Sequence, residues 1–458
     1  MGKRNKNSFK VIKDPVHGSM QFSHEEIAWI MPFIDSDNFQ RLRHIKQAGL
    51  CDWFFIGAVH TRFNHCLGCC YVASQIAKKL DLSDRDRQAV MLAALLHDIG
   101  HGPLSHTFEP IFHETCINHE MWTPYFIQEF NQADFLEKLK KGSSTLSVSS
   151  ATLKLVERLI MHQEKEKSLL ADIVSSQLDA DRLDYLLRDS HFCGVDYGEY
   201  DFPWLLNCLS VVNYKGKNRL GIFENGIGGV EHYLLARRLM TRNVYQHQKK
   251  HSAENLLVHF LKYLSHGLER DQRFAEIKRK TLAQFIMRVN AFNDAVKKSS
   301  HKTKIIKAFL RDNFQHYKQL YDYDIFSMIR HCANLEGDHP AAEIARRLQQ
   351  RQLPKTFRID AKHYTQMKNT IAELKQKNNK IKDWQIQILN LPSSSYSGNR
   401  DPILINSSNN KVKKLHDQSL IINALSNQWE HISLVAIDQL LLDQPAIIKL
   451  RRKLEKIS

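Results

Sequence analysis

The chain has 458 residues, with 65 Lys and Arg against 49 Asp and Glu, a formal net charge of +16. Its hydrophobic content of 43% suits a soluble chain with a substantial core and two lobes, and its longest apolar run, Ala89 to Leu96, is far too short to span a bilayer. Eight cysteines over this length form no disulfide framework, and the basic balance suits a polyanionic partner, nucleotide phosphates or nucleic acid.

Met1 to Ser8 has no apolar signal region, and Lys6 stands where a myristoylation signal takes Ser or Thr, so the expected location is cytoplasmic. A short strand or turn over Phe9 to Met20 leads into helices. Helical patterns follow at Asp37 to Gln47, Asn64 to Leu80, Asp84 to His97, Glu120 to Lys140, Ser150 to His162, Leu169 to Asp189, Val230 to Tyr263 and Lys304 to Leu320. Ser83 is placed to cap the third of these, and the Ser- and Thr-rich stretch Gly142 to Ser150 reads as a surface connection. Val211 to Phe223 alternates around Gly and Asn like a hairpin. After Pro354 the pattern changes to short alternating runs at Trp384 to Leu389, Pro402 to Ile405 and Ile432 to Val435. Pro392 to Gly398 reads as a loop and Ala446 to Ile457 as a basic helix. The fold class is mainly α: a helical core over residues 1–353 and a small α+β lobe over 354–458.

The chemistry concentrates where the helix ending at His97 runs into Gly100, Gly102 and Pro103. His97 and Asp98 are adjacent ligand types for a divalent metal, but alone they are half a site. By residue type, His65 and Asp181 on two other helical segments would complete a two-His, two-Asp set with coordination positions left open. His101 and His106 are side chains suited to proton exchange near neutral pH. Cys66, Cys69 and Cys70 have a CxxC spacing with no second pair, and read as small core residues on a helix.

At these residues the sequence resembles the HD-domain metal phosphohydrolases, and within them the deoxynucleoside triphosphate triphosphohydrolases. The resemblance rests on Lys10 to Gly18, Phe39 to Gln47, His60-Thr-Arg-Phe-Asn-His65, His97-Asp-Ile-Gly-His101 through His106, Asp181-Arg-Leu-Asp-Tyr185 through Asp189, and Tyr245-Gln-His247, in that order over about the first 250 residues. It weakens but continues around Tyr321 to Phe326. It implies an HD core with a C-terminal lobe and no SAM domain.

What the resemblance implies is specific. His65, His97, Asp98 and Asp181 hold a divalent metal, which could be Fe, Mn, Mg, Zn or Ni. His101, His106 and His119 act in acid-base catalysis and phosphate contact, with Glu109 where relatives carry Asp. Tyr185 packs on the sugar, Asp189 accepts from the 3′-hydroxyl and Gln47 assists; Arg62, Arg182 and Arg237 clamp phosphates. Tyr245, with Gln246 beside it, and residue 48 wall off the 2′ position. Here residue 48 is Ala, where relatives carry a larger apolar residue, which loosens that wall. Lys10, Val11, Asp35, Gln40 and Arg43 match a GTP or dGTP activator site at the contacts of a homo-oligomer, dimer or tetramer; the alternative is that Arg43 and its neighbours only brace the core. The reading is a dNTP triphosphohydrolase releasing deoxynucleoside and inorganic triphosphate. Its alternatives are an HD phosphohydrolase for another phosphoester, and a nucleic-acid-binding protein with an idle HD site.

Overall fold

The computed structural model describes residues 9–112, 115, 117–142, 147–163, 168–394, 396, 401–407, 411–426 and 429–457. The chain opens on an antiparallel hairpin, β1 (Phe9–Asp14) with β2 (Gly18–Ser23). Helix α1 (His24–Ile34) starts from a capping box in which the Ser23 hydroxyl accepts from the Glu26 N–H and the Glu26 carboxylate from the Ser23 N–H. After α2 (Asp37–Gln40) come the two helices that hold the centre, α3 (Arg62–Lys79) and α4 (Asp84–Leu96). Ser83 caps α4 by accepting from the Asp86 N–H, and Gln88 to Leu96 are buried on every side, as its near-continuous apolar sequence requires.

Helices α5 (Thr123–Phe130), α6 (Ala133–Gly142), α7 (Ser150–Ile160) and α8 (Leu169–Val174) lead to α9 (Ala180–Cys193), which packs on α3. Helix α10 (Phe202–Cys208) precedes the hairpin β3 (Leu209–Tyr214) and β4 (Lys217–Phe223). The helical core ends with α11 (Ile227–Met240), α12 (Gln248–Arg270), α13 (Thr281–Lys298), α14 (Lys302–Tyr317), α15 (Asp322–Ala333) and α16 (Pro340–Gln349). The C-terminal segment contributes β5 (Lys355–Ile359), α17 (Ala361–Lys377), β6 (Ile386–Ser394), β7 (Leu404–Asn406), β8 (Val412–Lys414), α18 (Leu415–Gln418), α19 (Leu420–Leu425), β9 (Trp429–Ile437) and α20 (Pro445–Ile457).

The class is mainly α, as the sequence predicts, with small sheets late in the chain. Strands β5, β9 and β6 form an antiparallel sheet in that order, with its own apolar core against α17 and α20 through Phe357, Met367, Ile371, Val435, Ile447 and Leu450. Strand β7 instead pairs in parallel with β4, so β7 and β8 extend the hairpin of the helical core. Among the described residues no helix is long and apolar enough to cross a membrane.

Four long helical readings are shorter in the structure. The segment from Asp37 is helical only to His44, because Ile45 to Gln47 extends to bond with His60 to Arg62. Glu120 to Lys140 is interrupted at Asn131 and Gln132 between α5 and α6. Leu169 to Asp189 is cut between α8 and α9 by Asp179, which caps α9 by accepting from the Arg182 N–H. Val230 to Tyr263 is broken by a widened turn at Thr241–Tyr245. Of the loop expected over Pro392 to Gly398, Pro392 to Ser394 instead continue β6 along β9; the rest, Tyr396 apart, and residues 143–146 of Gly142 to Ser150 lie outside the described residues.

Candidate active site

Three helices bring the four expected ligands together. His65 on α3 has Nε2 3.1 Å from Asp181 Oδ1 on α9 and 3.7 Å from Asp98 Oδ2. His97, at the last turn of α4, has Nε2 3.4 Å from Asp98 Oδ1 and 3.7 Å from Asp181 Oδ1. Both rings are oriented from behind. His65 Nδ1–H donates to Asp184 at 2.8 Å and His97 Nδ1–H to the Ala94 carbonyl at 2.9 Å.

This donor set fits a cation. With both Nδ1 atoms donating, each Nε2 turns a lone pair toward carboxylate oxygens, an arrangement that repels unless a proton or a metal lies between. His97 Nε2 is buried and has no hydrogen-bond partner. Burial opposes charge on His65, but hydrogen bonds to Asp181 and Asp184 outweigh it and hold its pKa up at about 10. The carboxylates thus demand a positive charge at Nε2, which a divalent metal supplies better than one proton. Cys69 Sγ sits 3.5 Å from His65 Nε2, but burial and the neighbouring Asp184 push its thiol far up, leaving a neutral sulfur.

Asp184, absent from the sequence reading, is the hub behind the ligands. It accepts from His65 Nδ1, from His17 Nε2 at 2.7 Å, and from Arg188 Nε and Nη2 at 2.8 Å each. Arg188 continues to Asp14 at 2.9 Å. Burial alone would raise the Asp184 pKa; Arg188, His17 and His65 outweigh it and hold the carboxyl well below the usual range. The hub touches α3 at Gly68, where a Cβ would come 1.8 Å from Asp184 Oδ1 and 2.3 Å from Arg188 Nη2. Only glycine lets α9 approach this closely.

A second cluster lies beside the first. The His101 and His119 rings stack at 3.7 Å between centroids, and His106 meets each edge-on at 5.2 Å. Glu109 holds two of them: Oε1 accepts from His119 Nδ1 at 2.9 Å and Oε2 from His106 Nδ1 at 3.2 Å. Glu109 also accepts from the His119 main-chain N–H at 3.0 Å. Against the opposing effect of burial, these two histidines hold the Glu109 carboxyl below its ordinary range. His101 lies 3.3 Å from Asp98 Oδ1, and burial, with Arg62 and His119 nearby, pushes its pKa well below that of a free histidine. It reaches Asp98 through a turn, since α4 does not extend to residue 101 as a shared helix face would require. Two backbone features place the cluster. A Cβ on Gly100 would lie 2.2 Å from the His119 carbonyl. Leu104 (φ 50°) and Ser105 (φ 55°) take left-handed backbone while Asp322 accepts from the Leu104 N–H at 2.7 Å and the Lys46 N–H at 2.9 Å.

Asp98 and Asp181 of the first cluster and His101, His106 and His119 of the second line one cavity of about 830 Å³, which Gln47, Ala48, Arg62, Tyr185, Asp189 and Tyr245 also line. Asp189 is fixed at both oxygens, accepting from His60 Nε2 at 2.7 Å and Tyr245 Oη at 2.8 Å. Arg62 pairs with Asp98 and donates to Ser105 Oγ at 2.9 Å. Three expected contacts lie elsewhere. Arg182 turns to Asp179 and the Ser176 carbonyl, Arg237 donates to Gln177 Oε1 at 2.8 Å, and Gln246 donates to the Leu391 carbonyl at 3.3 Å. The expected activator residues lie at the surface around α1, where Lys10 Nζ is 3.6 Å from Met31 Sδ and Gln40 Nε2 donates to the Ile34 carbonyl, beside Asp35, at 2.8 Å. Lys10 and Val11 are on β1, Asp35 ends α1, and Arg43 lies over the Phe63 ring at 3.6 Å while donating to Gln40 at 2.7 Å.

Residues 62–189 match the model of the HD domain family. This chain contains an HD domain. It is 36% identical over 257 residues to the uncharacterized protein YwfO of Bacillus subtilis, covering 55% of each chain. It is 30% identical over 275 residues to the deoxynucleoside triphosphate triphosphohydrolase SAMHD1 of Bos taurus, covering 53% of this chain and 45% of that one. The chain spans about half the length of the curated relatives it matches. Among solved structures, a phosphohydrolase from Bacteroides thetaiotaomicron superposes with a TM-score of 0.73 at 26% identity, covering 94% of this chain and 100% of that one. The chain is a homologue of phosphohydrolases.

Proposed function

We propose that this chain is a metal-dependent dNTP triphosphohydrolase, cleaving a dNTP with water to a deoxynucleoside and inorganic triphosphate. The observation that supports it most is the convergence on one cavity of Asp98 and Asp181, with His65 and His97 against them, of the Glu109-held histidines, and of the Tyr185, Asp189 and Tyr245 end. His65, His97, Asp98 and Asp181 would hold the metal, which when bound offsets phosphate charge and activates water. Asp189, with both oxygens fixed, accepts from a sugar hydroxyl, and the Tyr185 and Tyr245 rings, 6.0 Å apart, flank the sugar. Arg62 supplies positive charge to the phosphates from a position braced by Asp98 and Ser105. As water attacks the α-phosphorus and the bond to the 5′-oxygen breaks, His106 or His119, oriented through Nδ1 by Glu109, gives its proton to the departing oxygen. Arg182 and Arg237 reach the phosphates only by leaving Asp179 and Gln177.

The surface set Lys10, Val11, Asp35, Gln40 and Arg43 is the proposed GTP or dGTP activator site, in a homo-oligomer. The test is to incubate the full chain with each dNTP and rNTP, with Mg²⁺, Mn²⁺ or Fe²⁺, with and without GTP, and to separate the products. Tripolyphosphate with deoxynucleoside supports the reading; orthophosphate or pyrophosphate refutes it.

A further inference from the structure

Part of the cavity lining comes from outside the HD match, on α12 and β6. Lys250, His251, Glu254 and Asn255 share one face of α12, spaced so that each reaches the cavity, while Ser252, Ala253, Leu256 and Leu257 turn into the core. Glu254 Oε1 forms an ion pair with Lys250 Nζ at 3.1 Å and its Oε2 lies 3.5 Å from His251 Nδ1; His251 Nε2 is buried without a hydrogen-bond partner. Glu254 sits at the sugar end, since a Cβ on Gly49, next to Ala48, would lie 3.2 Å from its Oε1.

Strand β6 is the outer strand of its sheet. Its phase is set at one end, where the Asp438 N–H donates to the Gln385 carbonyl at 2.7 Å. In an antiparallel pair the bonded residues alternate, so Gln387, Leu389 and Leu391 bond to β9. Ile388 and Asn390, both in the cavity lining, turn their main-chain N–H and C=O off the sheet edge.

We propose that this wall of α12 and β6 reads the nucleobase and selects guanine. The inference rests on the nucleotide-hydrolase reading of the site. Guanine alone presents two adjacent donors, N1–H and the 2-amino group, beside the O6 acceptor. A carboxylate with an ammonium at its side matches that edge: Glu254 accepts from both donors and Lys250 donates to O6. Adenine puts a lone pair at N1, where it faces the Glu254 carboxylate; thymine offers one N–H between two carbonyls, and cytosine one amino group beside a lone pair. The main-chain N–H groups of Ile388 and Asn390 are donors for the remaining purine ring nitrogens.

The test uses the full chain with Mn²⁺. Binding of dGMP, dAMP, dCMP and TMP is measured by calorimetry, and turnover of the four dNTPs with GTP held at one concentration. The wild type is expected to bind dGMP at least about tenfold more tightly than the other three, and Glu254→Gln to abolish most of that ratio. A wild-type preference below tenfold, or an unchanged ratio in Glu254→Gln, overturns the inference; triphosphate release from all four dNTPs would then leave the proposed activity standing. Base-selective binding without triphosphate release has the opposite meaning: the wall reads guanine and the hydrolase reading falls. Failure to bind any of the four monophosphates together with no turnover of any dNTP overturns both.

Discussion

Replacing Asp184 by Asn keeps shape and removes charge at the point that orients His65. The carboxylate accepts four hydrogen bonds, from His17 and Arg188 Nη2 at Oδ1 and from His65 and Arg188 Nε at Oδ2. An amide has one acceptor oxygen. Whichever way it turns, its NH₂ meets one nitrogen of Arg188 and one histidine N–H, so two donors lose their acceptor in a fully buried place. Removing one partner of a buried charge pair costs about 3–5 kcal/mol, and Arg188 keeps only Asp14 to offset it. If the amide nitrogen faces His65, the ring moves its proton to Nε2 and closes the position that faces Asp98 and Asp181. Loss of such an orienting partner typically weakens metal binding by about 10–100-fold. Asp184→Asn should therefore lower both the unfolding midpoint and the Mn²⁺ affinity measured by calorimetry, whereas Asp14→Asn, whose side chain meets Arg188 and the Val16 and His17 main-chain N–H groups but not His65, should lower stability with a smaller change in metal affinity. A folded Asp184→Asn protein with wild-type Mn²⁺ affinity would refute the orienting role.

Asp181→Ala, or His97→Ala with Asp98→Ala, should abolish turnover and bound metal together while the chain stays folded; full metal occupancy by elemental analysis would show that the ligands are other residues. His101, His106 and His119 variants should keep metal and lose turnover by about 10² or more, and Glu109→Gln should resemble His119→Ala because it releases two of the rings; wild-type rates would remove the cluster from the chemistry. Ala48→Leu should raise the dNTP over rNTP preference by about tenfold, the value of a few added methylenes (roughly 1–3 kcal/mol), and Tyr245→Ala should lower it; an unchanged ratio in both would show that the sugar is not read there. Acid should destabilise the fold through Asp184: its folded pKa lies below the unfolded value near 4, so its contribution is complete above that pH and is lost as pH falls through the folded value. In Asp184→Asn the acid limb of a stability-versus-pH curve should flatten, and an identical limb would contradict the shift.

The sequence reveals what lies close in the chain and hides what meets across it. His97 and Asp98 are adjacent, and His65 and Asp181 stand in helical patterns, so the ligand set is readable by type. Asp184 and Arg188 stand in plain view three and seven residues after Asp181, yet their role depends on His17, Asp14 and the bare backbone at Gly68, all far away in the chain. Breaks in the long helices were obscured for a related reason: residues 45–47 have no strong breaker and leave the helix to bond with residues 60–62, and residues 175–179 leave it where Asp179 caps the next helix and Gln177 accepts from Tyr233 and Arg237. Arg182 shows the converse, since a resemblance assigns it to phosphate while its local sequence supplies Asp179 three residues earlier as a partner. The wall of α12 and β6 is the furthest from sequence reading, because Glu254 becomes significant only once a strand more than a hundred residues later closes the same cavity. The two parts of the proposed site therefore differ in kind: the candidate metal ligands follow from a local motif, whereas the surface proposed to meet the base is set by how the C-terminal sheet docks on the helical core.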